Sequence, residues 1–255
     1  MKMLLILKAP MFTNYENLQM SDKPLQALVT GANRGLGLQF VKQLSALGWR
    51  VFACCRNPQH ADKLSDLAQA SNGKISVHTL AVEDGAQIQQ LAKQLQGQAI
   101  DLLINNAGMY SGGVSERFGH TSTPDWLHVF QVNTIAPLKM AEAFAEHVAQ
   151  SQQKTIATVT SKMGSIADNT SGGVYIYRST KAALNMVMKS LALDVEASGI
   201  KVALLHPGWV KTDMGGPNAL ITPQQSVAGM LEVILNLGWQ DSGRFLAYDG
   251  TEIEW

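Results

Sequence analysis

An α/β fold built on one doubly wound, mainly parallel sheet of seven strands is what this chain predicts, and three observations predict it. From residue 25 onward, short apolar runs alternate with helical patterns without a break. No Pro/Ser-rich linker, low-complexity tract or internal repeat divides the series. A length of 255 residues suits one such domain better than two.

Leu25–Thr30 reads as a buried first strand, and 35–47 as a helix that Gly48 ends. Arg50–Cys55 is the second strand. A helical pattern at 60–70 leads to a third strand over Lys74–Val82, and a helix at 84–96 leads to a fourth over Ile100–Asn105. Ser122–Asp125 opens one long helix that runs to 149. Thr155–Thr160 is the fifth strand and Val174–Ser198 another long helix. Lys201–His206, a helix at 222–237 and Arg244–Tyr248 complete seven strands and six helices. In sheets of this kind, ligands bind beyond the carboxyl ends of the strands.

Residues 1–20 show no convincing period. The apolar run Met3–Leu7 is shorter than a secretory h-region and far shorter than a membrane span, and Pro10 interrupts it. We read 1–20 as an extension outside the fold, with Met20 as an alternative start, and 21–255 as the domain. The other reading is a short hydrophobic arm used in association. The 20 basic residues balance the 20 acidic ones, so neither a nucleic-acid surface nor a charged tail is expected. Cys54 and Cys55, the only cysteines, are adjacent and cannot form a disulfide framework, which points to a reducing, cytoplasmic compartment. The six histidines lack metal-ligand spacing, so no metal is expected.

The first strand runs into Thr30-Gly-Ala-Asn-Arg-Gly-Leu-Gly37. Glycines 31, 35 and 37 permit a tight turn and close backbone approach, and the helix start behind them offers free N–H groups to a diphosphate. A Rossmann-type dinucleotide site is expected, held by Gly31, Asn33, Arg34, Gly35, Leu36 and Gly37. An NAD site places an acid at the end of the second strand, about 20 residues on. Here that place holds Cys54-Cys55-Arg56. Arg34 and Arg56 suit a 2′-phosphate instead, so the expected cofactor is NADP(H). Further along, Tyr177 and Lys181 stand four apart on a helix and so share a face.

These features resemble the short-chain dehydrogenase/reductases over nearly all of 25–255. The resemblance rests on the glycine turn, Asn105-Asn-Ala-Gly108, Asn133 in Val-Asn-Thr, Ser161, Tyr177 with Lys181, and Pro207-Gly208. Gly164–Gly173, His206–Gly216 and Tyr248–Thr251 with Trp255 are similar to the C-factor/sniffer-like carbonyl-reductase subgroup. The resemblance implies an NADPH-dependent reduction of a small-molecule carbonyl. Tyr177 would be the acid and Lys181 its activator and ribose ligand. Ser161 would polarise the carbonyl, and Asn133 would hold a relay water. Lys181 and a positive nicotinamide are expected to lower the tyrosine pKa. The alternative is a non-catalytic NADP-sensing protein on the same fold.

Further cofactor contacts are expected at Asn106, Ala107, Gly108, Pro207, Gly208, Val210 and Thr212. Val82 would contribute through its backbone, because Ala81 stands where many relatives carry Asp. Glu83 and Asp84 read as an acidic helix start. Ser165 is the positional rival to Ser161. Tyr110, Met163, Tyr175, Trp209 and Met214 would line a hydrophobic substrate pocket. Relatives often pair through the helices equivalent to 125–149 and 175–198, so a homodimer is a further expectation.

Overall fold

Runs such as Ala27–Val29 and Leu102–Ile104 have no polar alternation because both faces of their sheet are covered. The computed structural model describes residues 23–112 and 116–255. The expectations for residues 1–20 lie outside the described residues. Seven strands form one sheet: β1 (Gln26–Thr30), β2 (Arg50–Cys55), β3 (Ile75–Thr79), β4 (Leu102–Asn105), β5 (Thr155–Val159), β6 (Lys201–His206) and β7 (Phe245–Ala247). Their order is β3-β2-β1-β4-β5-β6-β7, and every pairing is parallel.

The helices are α1 (Gly35–Ala46), α2 (Asp62–Gln69), α3 (Gly85–Gln94), α4 (Thr123–Phe130), α5 (Ala136–Ala149), α6 (Tyr175–Asp194) and α7 (Pro223–Leu235). Alternate strand residues point to opposite faces. Leu28, Phe52, Leu103 and Ile156 join Ile88, Phe144 and Met188 in one apolar layer. Ala27, Val29, Val51 and Ile104 join Phe40, Leu64 and Met230 in the other. Strand order reverses between β1 and β4, which opens a crevice at their carboxyl ends.

Several expected elements differ in extent. The third, fourth and seventh strands are shorter than expected, and the helix expected to 198 ends at Asp194. The single long helix expected to 149 is instead interrupted by a π-helical turn, Gln131–Ile135. Pro137 explains the break: it has no N–H for the carbonyl of Asn133, and its ring crowds that carbonyl. Val174 precedes α6 in the left-handed conformation rather than opening the helix. Cys54 and Cys55 are free, buried thiols. Among the described residues, no helix is long and apolar enough to cross a membrane.

Candidate active site

The glycine turn is shaped by backbone contact. Gly31 and Gly35 have φ of +65° and +54°, which L side chains rarely adopt. A Cβ on Gly37 would collide with the Gly31 carbonyl, and one on Gly31 would come within 3.0 Å of the Ala107 Cα. Thr30 Oγ1 accepts from the N–H groups of Asn106 and Ala107, both at 3.0 Å. The Asn106 amide donates to the Thr30 carbonyl at 2.8 Å. The Asn106 side chain thus holds the turn in shape, and the backbone around it defines the cradle. Arg34, the residue before α1, makes no side-chain cap, and the first turn of α1 carries no acid. Its N–H groups therefore suit an anion, which is what a dinucleotide diphosphate requires.

The two arginines are less committed. Arg34 is 70% exposed, and its guanidinium bonds Asp213 at 2.8 Å. Arg56 is 68% exposed and lies 3.8 Å from Glu83. Asp84 caps α3, accepting from Ala86 and Gln87 N–H, whereas Glu83 turns to Arg56. Val82 is buried beside this helix start.

Asn133, Ser161, Tyr177 and Lys181 are all buried, on the π turn, the exit of β5 and the first two turns of α6. Lys181 Nζ lies 5.8 Å from the Tyr177 ring centre and donates to the Val159 carbonyl at 3.1 Å. A Cβ on Gly108 would lie 3.4 Å from Asn133 Oδ1 and 3.7 Å from Lys181 Nζ, so the Asn105–Gly108 segment reaches this cluster too. The Asn133 amide is fully engaged: its oxygen accepts from Met109 N–H at 2.8 Å, and its nitrogen donates to the Met109 carbonyl and to Thr180. Ser165 Oγ accepts from Asp168 N–H and Ser161 Oγ from Met163 N–H, so both serines shape their loop, and Ser161 is the one that bears on the tyrosine.

The electrostatics depart from expectation. The Tyr177 pKa is pushed up to about 12, first by burial; a hydrogen bond with Ser161 opposes this, and Tyr110 and Glu116 add to it. Burial pushes Lys181 down to about 8. Burial dominates both shifts, because the charged form of each side chain is the one that loses water.

The loop after β6 closes on itself. Val210 pairs with Ile221 in an isolated bridge, and Trp209 Nε1 donates to the Gly215 carbonyl at 2.7 Å. Thr212 spends its N–H on the Val210 carbonyl, and its hydroxyl accepts from Gly215 N–H. Its Cγ2 would lie 3.7 Å from a Cβ on Gly35, so the loop borders the glycine turn. The Pro207 carbonyl accepts from Ser226 Oγ, and Gly208, at φ +80°, packs against Ile221 and Tyr248. Among the expected substrate residues, Tyr110 stacks edge-on against Tyr177 at 5.3 Å, while Tyr175, Trp209 and Met214 are exposed and Met163 is half-buried. Phe118 joins Tyr175 at 6.4 Å.

The short chain dehydrogenase family model matches residues 26–220. The chain belongs to the short chain dehydrogenase family. Its reaction class is oxidoreduction. The chain is 46% identical to C-signal of Myxococcus xanthus over 156 residues, covering 61% of this chain and 93% of that protein. Carbonyl reductase Sniffer of D. melanogaster superposes with a TM-score of 0.85 at 33% identity, over 91% of this chain and 100% of that one. The NADPH-bound carbonyl reductase from chicken fatty liver gives 0.84 at 38% identity, with the same coverage.

Three supporting residues escape a sequence reading of this dehydrogenase. A Cβ on Gly164 would press on the Lys181 backbone at 2.7 Å, so a glycine is what seats the serine loop on α6. His206 Nδ1 accepts from Lys162 N–H at 3.2 Å, and burial pushes its pKa down to about 4, so the ring is a neutral strut under that loop. Glu116 is buried against the start of α6. The missing signal for Glu116 was the helix start itself: Gly172-Gly173-Val174 offers no capping side chain.

Proposed function

We propose that this chain is an NADPH-dependent carbonyl reductase acting on a hydrophobic ketone, aldehyde or quinone. The observation that carries the reading is the burial of Ser161, Tyr177 and Lys181 together, with Lys181 Nζ 5.8 Å from the Tyr177 ring centre. The glycine turn and the start of α1 would hold the diphosphate of NADP(H), with Arg34 and Arg56 toward its 2′-phosphate. The bound cofactor supplies a hydride to the carbonyl carbon.

The chain's own residues manage the oxygen. Ser161 Oγ donates to it and stabilises its developing charge. The Tyr177 hydroxyl delivers the proton, and the Lys181 ammonium steadies the phenolate left behind. A tyrosine near 12 is a reluctant acid. The working site therefore needs a positive charge beyond Lys181, and the oxidised nicotinamide carries one. Both N–H donors of the Asn133 side chain are spent on Met109 and Thr180, and the relay water is assigned to its backbone carbonyl, which Pro137 deprives of the usual donor. The exposed Trp209, Met214, Tyr175 and Phe118 favour an apolar substrate body.

A panel of aromatic ketones, aldehydes and quinones, assayed with NADPH and with NADH beside Tyr177→Phe, tests this. Turnover with NADPH and a loss of roughly 10²- to 10⁴-fold in the variant are expected. Unimpaired turnover in Tyr177→Phe would sink the mechanism. The identity to C-signal favours a second reading, an NADP-binding signalling protein. Tight NADPH binding with no turnover across the panel is its mark. A homodimer through α4–α6, which leave Leu127, Met186 and Leu193 exposed, is also proposed, as is a cytoplasmic location.

A further inference from the structure

The helix that carries Tyr177 and Lys181 begins without a cap of its own. Its preceding residue, Val174, is held at φ +51°, and a valine side chain has no acceptor for the free N–H groups of the first turn. Those groups are satisfied from 60 residues away. Glu116 Oε2 accepts from Ile176 N–H at 3.0 Å and from Tyr177 N–H at 3.2 Å. Its other oxygen accepts from Ser111 Oγ. The carboxylate is 2% exposed, so these bonds are made away from water, where charge-assisted hydrogen bonds are strongest. A negative charge at a helix N-terminus also meets the positive end of the helix dipole. The same segment after β4 brings Tyr110 edge-on to the Tyr177 ring at 5.3 Å.

We propose that Glu116 is a positioning residue for Tyr177, a cap supplied from a distant part of the same chain that fixes the first turn of α6 and, through Ser111, ties the segment after β4 to it. One bond falls on the backbone N–H of the tyrosine itself, so the phenol is located by Glu116 as directly as by its own helix. The inference rests on the proposed role of Tyr177 as the acid. The groups facing Tyr177 are Ser161, Tyr110, Glu116 and Lys181. Among them Glu116 is the carboxylate, and its charge opposes formation of a phenolate. Glu116 therefore locates the acid, and its charge adds to the burial that disfavours the phenolate.

The test compares Glu116→Gln and Glu116→Ala with Tyr177→Phe in the full chain, using phenanthrenequinone reduction followed by NADPH absorbance. In Glu116→Ala, kcat should fall roughly 10- to 100-fold, as for a misplaced catalytic group, with KM for NADPH nearly unchanged. Glu116→Gln keeps an acceptor oxygen and should restore most of kcat. Because it removes the negative charge, it should also move the alkaline fall of kcat to lower pH. If Glu116→Ala does not fold, the pH profile of Glu116→Gln decides alone. An unshifted alkaline limb in Glu116→Gln, with kcat of folded Glu116→Ala also near that of the parent, overturns the proposal when Tyr177→Phe is inactive. An active Tyr177→Phe overturns the mechanism instead.

Discussion

The glycine turn and the loop after β6 border the same crevice, but one is locked to a neighbouring strand end and the other is tied mainly to itself. Gly31–Gly37 is set by backbone against backbone, with Thr30 and Asn106 locking two strand ends together. The loop from Trp209 to Ile221 is held by the Val210–Ile221 bridge, by internal hydrogen bonds and by Gly215, where a Cβ would collide with the Val210 carbonyl, and Trp209 and Met214 stand half exposed. Across the gap Arg34 pairs with Asp213, and Thr212 borders Gly35. A site that must grip one invariant cofactor and admit variable substrates has reason to be rigid on one side and adaptable on the other.

The comparison is broken most severely at Gly37. A Cβ there has no room against the Gly31 carbonyl, so Gly37→Ala should cost about 1–3 kcal/mol of stability. NADPH affinity, measured by titration calorimetry, should fall by roughly 100-fold or more, about 2.7 kcal/mol. An equal loss from Gly216→Ala, in the opposite loop, would erase the distinction.

Lys181→Met separates stability from chemistry on the rigid side. Turnover should vanish, yet near neutral pH the variant should be more stable by about 1–3 kcal/mol, because a buried ammonium without a carboxylate partner is gone. The sign follows from the lowered pKa. The folded protein resists the charged form, so the parent carries the full penalty below about 8. That penalty is relieved as pH rises from about 8 toward the ordinary 10.5. Thermal melts across that window should show the gap between the two proteins narrowing; a constant gap would refute the assignment.

The arginines sharpen the contrast, since they are the exposed part of the gripping side. Arg34→Ala with Arg56→Ala should reduce the NADPH/NADH preference in kcat/KM by roughly tenfold or more. An unchanged ratio would remove both from the cofactor site. The smallest effect is expected at Asp213→Asn. An exposed ion pair contributes at most about 1 kcal/mol, so the melting temperature should barely move. The gain should be in NADPH binding, severalfold at low salt and vanishing at high salt, because Arg34 is released.

The fold was legible because alternation and glycine placement are local. β1, β2 and β6 fall where apolar runs of four to six residues place them, and the family motifs fall at strand ends. Tyr177 and Lys181 could be paired from their spacing, and the family resemblance adds Ser161 and Asn133. Their working state could not be read from either. Tyr177 was expected to be acidified, but its burial comes from packing that no four-residue spacing records. The pairing of Arg34 with Asp213 joins residues 179 apart, and that of Glu116 with Tyr177 joins residues 61 apart. The π turn required Pro137 to be read against a carbonyl one turn back, not as an ordinary first-turn proline.

That π turn makes the helix through Asn133 resistant to tidying. Deleting Thr134 or Ile135 together with Pro137→Ala would let α4 and α5 run as one regular helix, which is what propensity then favours. A single residue is about 100° of rotation and about 1.5 Å of rise. Everything on the amino side of the cut would turn about the axis, carrying Asn133 away from Met109 and Thr180 and Trp126 away from Ser179. Engineering for heat resistance by straightening this helix would thus dismantle the floor of the crevice, and a one-residue gap at this point in a related sequence would mark a protein with a differently built floor.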